Sequence, residues 1–273
     1  MGDPLLADKP EPIWVPHLEW EAAIKERLGV SSGKWAVHCY KSVSSTMDVA
    51  QALTPEVKVG EHLLVVAERQ SAGRGRRGRR WQDAAGGLCM TVAFSHRGPA
   101  LAALPAFSLV AGLVIHEYFT GLGCRIGLKW PNDVWSADGR KLAGVLLEMV
   151  RGKKPALLVG LGVNLSAPPE SVPESISISE LCGRSLSVPQ VAPELADRLA
   201  QAWSLFRVEG FEPFREGWMK AALFLGQQVK VWDGPLLRTG RFVGLGPQGS
   251  IEIEDQGVVH EVLSGDVTLV KGA

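Results

Sequence analysis

Between Gly73 and Arg80 the chain carries five arginines, Arg74, Arg76, Arg77, Arg79 and Arg80, interrupted by Gly75 and Gly78. A guanidinium presents a planar fork of donors that matches carboxylate and phosphate oxygens, and glycine lets backbone approach a ligand closely, so this stretch is suited to wrapping an anion. Over 273 residues, 29 Lys+Arg balance 29 Asp+Glu, so the basicity is concentrated at one place and is not that of a generally basic nucleic-acid binder. The loop is not a P-loop, which would close with Gly-Lys-Ser or Gly-Lys-Thr, and it lacks the glycine spacing of a dinucleotide fingerprint. Taken alone it fits a disordered Arg-Gly segment, a nucleic-acid contact or a substrate loop.

A second candidate is Lys129, followed by Trp130, Pro131, Asn132 and Asp133. Strand alternation puts Ile126, Leu128 and Trp130 on one face and Lys129 on the other, and Pro131 ends the strand before an Asn-Asp turn. A lysine held between a strand and a proline turn can orient a ligand; the plain alternative is a solvated lysine on an exposed face. Lys141 opens an apolar run to Glu148 in which Gly144 permits close backbone approach, and a glycine-punctuated run from Val159 ends at Asn164. No motif for a Ser-His-Asp triad or a reactive cysteine is present, so the expected chemistry is charge stabilisation and positioning.

The elements that must hold these residues alternate between strand and helix periodicity, which argues for an α/β body. Apolar runs from His62 to Ala67 and from Gly87 to Phe94 read as strands on either side of the arginine loop, and a loop so held is scaffolded for binding. Trp14 to Leu28 reads as a helix and Trp35 to Tyr40 as a strand. Ser44, Ser45 and Thr46 read as a cap on a helix through Leu53, and Leu101 to Leu122 as a buried helix. Pro189 to Gly210 and Phe211 to Leu225 read as helices. From Gln228 to Val270 short alternating runs separated by turn signals read as a small β-barrel, with a boundary near Gly226.

Composition narrows the class. With 46% hydrophobic residues the chain can bury one large core and a small satellite. No apolar run reaches membrane-spanning length, and Met1 to Pro16 has no targeting pattern, so a cytoplasmic protein is expected. Cys39, Cys89, Cys124 and Cys182 are widely spaced and are expected to be buried free thiols. His17, His38, His62, His96, His116 and His260 show no metal-ligand spacing, so no protein-bound metal is expected.

Glu68 to Trp81, Lys129 to Asp133, Lys141 to Gly144 and Gly160 to Asn164 follow the order and approximate spacing found in biotin protein ligases, and from about residue 35 onward the chain resembles that family. The resemblance implies an α/β mixed-sheet catalytic domain like those of class II synthetases and biotin/lipoate ligases over 35–226, a small SH3-like β-barrel over 227–273, and an extension over 1–34. It implies activation of biotin with ATP and Mg²⁺ to biotinyl-AMP and pyrophosphate, then transfer to one lysine of the biotin carrier protein or domain of a carboxylase.

By the same resemblance Ser45, Thr46 and Gln70 bind the ureido head of biotin, with Met47 beside them where some members have Asn. Arg74, Gly75 and Arg76 belong to the loop that closes over biotin and its adenylate. Lys129 is the central catalytic lysine, aided by Arg76, and Arg74, Trp81, Asn132, Lys141 and Asn164 lie on the nucleotide side. The 34 residues before the first matching strand are too few for a winged helix-turn-helix, so no specific DNA binding and no membrane are expected, with the protein a monomer or homodimer. Two alternatives remain: a lipoate or octanoate transferase of related fold, separable by which acid supports adenylate formation, and a nucleic-acid-binding module, separable by affinity at physiological salt.

Overall fold

The computed structural model describes residues 14–58, 60–95 and 101–270. Met1 to Ile13, on which most of the targeting reading falls, and His96 lie outside the described residues. The chain opens with α1 (Leu18–Leu28), β1 (Trp35–Val43), α2 (Thr46–Leu53), β2 (His62–Gln70) and β3 (Leu88–Ser95). There follow α3 (Phe107–Gly121), β4 (Ile126–Lys129), β5 (Asp133–Ser136), β6 (Lys141–Val150), β7 (Ala156–Val163), α4 (Ile178–Cys182), α5 (Val188–Glu209) and α6 (Glu212–Ala221). The remainder is all strand: β8 (Gln228–Asp233), β9 (Leu236–Leu245), β10 (Ile251–Asp255), β11 (Val258–Val262) and β12 (Asp266–Leu269).

The first seven strands form one sheet in the order β1-β2-β3-β7-β6-β5-β4, in which β1 and β2 are parallel and the other neighbours antiparallel. Every residue of β7 is buried, the mark of a strand covered on both faces. One face carries the larger core, in which Val66, Met90 and Val159 meet Phe107, Trp203 and Trp218 from α3, α5 and α6. The other face is covered by α2, whose Met47, Val49 and Ala50 pack on Val65, Ala93 and Leu158. The five remaining strands form a second, antiparallel sheet in the order β11-β10-β9-β8-β12, a small barrel-like unit.

Several sequence expectations shift. The first helix starts at Leu18, not Trp14, because Pro16 pairs with Tyr40 beside β1 and His17 caps the helix. The long apolar helix begins as 3₁₀ turns over Leu101–Ala106 and becomes α-helical at Phe107, since Pro105 cannot donate the backbone bond of a continuing helix. Leu104–Gly121 is long and apolar enough to be weighed as a membrane span, contrary to the expectation that no run is; most of it is buried inside the fold, as a core helix. Cys39 and Cys89 are buried free thiols, whereas Cys124 and Cys182 are joined in a disulfide with Cα atoms 5.3 Å apart, overturning the expectation of four free cysteines. That pair joins the entry of β4 to the end of α4, 58 residues on, a proximity created by the fold that no Cys-x-x-Cys spacing advertises.

Candidate active site

The α2 face of the sheet is only partly covered by helix, and the site lies where the cover stops. There Gly144 of β6 pairs with Gly162 of β7, and Leu146 with Gly160. With no side chains at 144, 160 and 162, the strands form a bare floor onto which other groups lie flat. A Cβ at Gly162 would stand 2.5 Å from Cζ2 and 2.8 Å from Cδ2 of Trp81, and one at Gly160 would stand 2.8 Å from Sδ of Met47. The glycines therefore seat the Trp81 indole and the Met47 thioether against the sheet. The cavity so formed holds about 230 Å³.

One end is lined with neutral polar groups. Ser45, 1% exposed, caps α2 by accepting a bond from Met47 N, and its own hydrogen remains to be donated. Thr46 donates its backbone N–H (2.8 Å) and its hydroxyl (3.1 Å) to Gln70 Oε1, and Thr91 donates to the Thr46 hydroxyl at 2.8 Å. Gln70 is anchored in turn by its own N–H to Asp83 Oδ2. These groups come from α2 with its cap, β2 and β3, so the fold hydrogen-bonds residues as far apart in sequence as Thr46 and Thr91, 45 positions. The Cys89 thiol beside them is pushed up to about 12 by burial, with the Asp83 charge adding to the rise, so it is no thiolate nucleophile at neutral pH.

The other end is charged. Lys141 Nζ sits 2.7 Å from Asp133 Oδ1 and 5.9 Å from the centre of the Trp81 ring. Asn132 splices the turn after Pro131 to β6, donating Nδ2 to Val145 O (2.7 Å) while its carbonyl accepts from Val145 N (3.0 Å). Asn132 Oδ1 also accepts from Arg76 Nη1 at 3.1 Å. The arginine loop forms the roof. Arg74 spans Asp48 of α2 and Glu148 of β6, the second at 3.1 Å. Its guanidinium is driven down by burial but held above its ordinary value by hydrogen bonds to those two carboxylates.

Of the residues singled out from sequence, Ser45, Thr46, Met47, Gln70, Arg74, Gly75, Arg76, Trp81, Asn132, Lys141 and Asn164 all line this cavity. Lys129 does not. Its ammonium lies over the Trp135 ring, 3.9 Å from the centre, and burial lowers its pKa while the nearby Asp133 charge opposes the shift. Lys141 does line the cavity, with Asp133 as its ion-pair partner. Trp130 is an anchor for the second sheet, donating Nε1 to Gly249 O at 3.0 Å. Asn164 is buried, with its amide donated to Ile176 O at 3.1 Å, so it ties the end of β7 to the segment that leads into α4. Sequence reasoning missed Thr91, Gly162 and Asp266: Thr91 reads as an ordinary strand residue, and Asp266 is 187 residues from the loop arginine it meets.

A mixed sheet roofed by an arginine loop, with a neutral polar end and a cationic end in one cavity, defines an enzyme of the acid-activating type, built to hold a carboxylic acid and a phosphate together. Residues 39–164 match the model of the biotin/lipoate A/B protein ligase family. The chain is 32% identical over 267 residues to the bifunctional ligase/repressor BirA of Escherichia coli, covering 95% of this chain and 80% of that protein. It is 34% identical to the biotin--[acetyl-CoA-carboxylase] ligase of Paracoccus denitrificans over 215 residues, 74% of this chain and 88% of that one. The biotin protein ligase of Aquifex aeolicus, solved with biotin and ATP, superposes with a TM-score of 0.72 at 30% identity, over 86% of this chain and 98% of that one. The chain belongs to the biotin/lipoate A/B protein ligase family, among its biotin protein ligases.

Proposed function

We infer that the protein activates biotin with ATP and transfers it to a lysine of a biotin carrier domain of a carboxylase. The observation that carries this reading is the pairing, in one cavity, of buried neutral hydrogen-bonding groups at Ser45, Thr46 and Gln70 with cations at Arg76 and Lys141. A ureido ring has one carbonyl acceptor and two N–H donors, and hydroxyl and amide groups can meet both kinds. An alkyl tail such as that of octanoate would leave those groups unpaired, at roughly 1–3 kcal/mol for each buried polar group stranded. The family's lipoate branch is disfavoured on that physical ground.

The first step needs no protein nucleophile. The biotin carboxylate oxygen attacks the α-phosphorus of ATP, which enters with its Mg²⁺; the bond to the bridging oxygen breaks and pyrophosphate leaves. Lys141 and Arg76 stand where they can hold the carboxylate and the α-phosphate together and offset charge gathering on the phosphate oxygens. Trp81 on its glycine floor forms a flat wall for the nucleotide side. In the second step the lysine amine of the carrier attacks the carbonyl of the mixed anhydride, an amide forms, and AMP leaves with the electron pair of the broken C–O bond. Residues 35–226 carry this chemistry, and 227–273 complete the site through Asp266.

Biotin-dependent exchange of labelled pyrophosphate into ATP tests the reading. Exchange with biotin, and exchange lower by roughly a hundredfold or more with octanoate or lipoate, is expected from the stranded polar groups. Equal exchange with octanoate overturns it.

A further inference from the structure

The five loop arginines do not share one fate. Arg74 is held between Asp48 and Glu148, and Arg80 donates to Ser71 O. The other three converge on a single carboxylate from the second sheet: Asp266 stands 2.8 Å from Arg79, 3.5 Å from Arg77 and 4.0 Å from Arg76. Arg76 adds a bond to the neighbouring Gly265 carbonyl at 3.2 Å. Between these contacts Arg77 adopts a φ of 57°, a left-handed conformation that costs a non-glycine residue energy and persists where surrounding contacts impose it. Asp266 opens β12 and lines the cavity, so the second sheet reaches the site through it.

We propose that Asp266 is a positioning residue, a latch that fastens the arginine loop to the C-terminal sheet and sets how long the site stays closed around the acyl-adenylate. The proposal rests on the biotin-activating reading for what the loop encloses; the latch itself rests on the ion pairs. Three guanidiniums face one carboxylate, so latching leaves positive charge over for an anionic substrate, and the two are compatible. The sheet is docked independently by Trp130 on Gly249, so removing the latch charge frees the loop without undocking the sheet. An acyl-adenylate reacts with water and with any amine, and a site that opens early loses it.

The test uses the full chain with Asp266→Asn, which keeps the shape and removes the charge, and Asp266→Glu, which keeps the charge. Trypsin cuts after arginine, so nicking within residues 74–80 reports loop opening directly, with or without substrates. With Asp266→Asn, nicking is expected to rise roughly threefold or more, the scale of a partly exposed charge network. Escape of biotinyl-AMP into solution, per adenylate formed, should rise in parallel while the melting temperature stays within about 2 °C. Asp266→Glu should recover much of the protection. Raising salt to 1 M, where screening acts over about 3 Å, should speed nicking of the wild type by a larger factor than that of Asp266→Asn, which retains only the Arg74 pairs. Wild-type nicking and adenylate retention in Asp266→Asn overturn the proposal, as does nicking spread along the chain with a large fall in melting temperature. If the wild type shows no biotin-dependent exchange while loop nicking still follows Asp266, the latch stands and the biotin reading falls.

Discussion

Replacing Gly162 with alanine puts the central packing argument to a quantitative test. The added Cβ would lie 2.5 Å from Cζ2 of Trp81, and nearer still to Cε2, where carbon atoms rest at about 3.5–4.0 Å. The indole must therefore lift by about 1 Å from a floor it now touches. Gly162 does not have positive φ, so backbone preference alone would make alanine neutral or better by roughly 0.5–1 kcal/mol in a strand. Overpacking of a rigid ring costs about 1–3 kcal/mol, so the clash decides the sign. A wall displaced by that much should lower kcat/KM for ATP by about tenfold to a hundredfold, measured by pyrophosphate exchange at saturating biotin. Gly160→Ala meets the end of the flexible Met47 side chain instead, 2.8 Å from Sδ, and should cost less than about 1.5 kcal/mol, on the biotin side. In a Trp81→Ala background, Gly162→Ala should lose its penalty. If it costs as much there as in the wild type, the indole is not what the glycine accommodates and the argument fails.

Three further outcomes follow from particular contacts. Lys141→Ala should reduce exchange at saturating substrates by roughly a hundredfold to a thousandfold, as loss of a directed charge at the reacting centre does, and Lys129→Ala by roughly tenfold or less, since its ammonium stacks on Trp135; the reverse ranking would return the central role to Lys129. Cys124→Ser should lower stability by about 2–4 kcal/mol through the 58-residue separation that the disulfide spans, and a reductant should lower the wild-type melting temperature but not that of the variant; a wild type insensitive to reductant argues against the bond. His62 packs between Trp35 and Phe94 with Nδ1 buried and lacking a partner among the described residues, and burial, with Lys34 next, pushes its pKa below the ordinary 6.5. The unfolded chain then binds the proton first, so this stability is fully present above pH 6.5 and is lost as pH falls from there towards the lowered folded value; His62→Phe should flatten that slope in melting temperature against pH, leaving the share from His38 and His116, whose pKa values burial also lowers.

Much of this architecture is legible in the chain because local signals agree with tertiary ones. The Ser45 cap is both a helix signal and a cavity group, so the same hydroxyl announces its element and its site. The apolar runs at His62 and Gly87 are the strands that carry the arginine loop. What fails is direction. Alternation places Lys129 opposite Leu128 and Trp130, and that much is geometry; whether the far face is a cavity or the Trp135 ring depends on β5, which folds back to pair Lys129 with Asp133. Lys141 is a nucleotide-side candidate by resemblance alone, and only that hairpin, which brings Asp133 to its ammonium, shows its partner.

The glycines give the sharper lesson. Gly144 reads alone as a place of close backbone approach and Gly162 as one glycine of a punctuated strand, and only the register that sets them opposite each other makes a floor wide enough for an indole. Asp266 gives no local sign, since its meaning lies in three arginines about 190 residues away in sequence that share its carboxylate only after two sheets have docked. Motifs name the side chains that can do chemistry. Pairing register and sheet docking decide which of them face the cavity, so the placement of Lys129 over Trp135 and of Lys141 in the cavity is a consequence of one four-residue strand turning back on its neighbour.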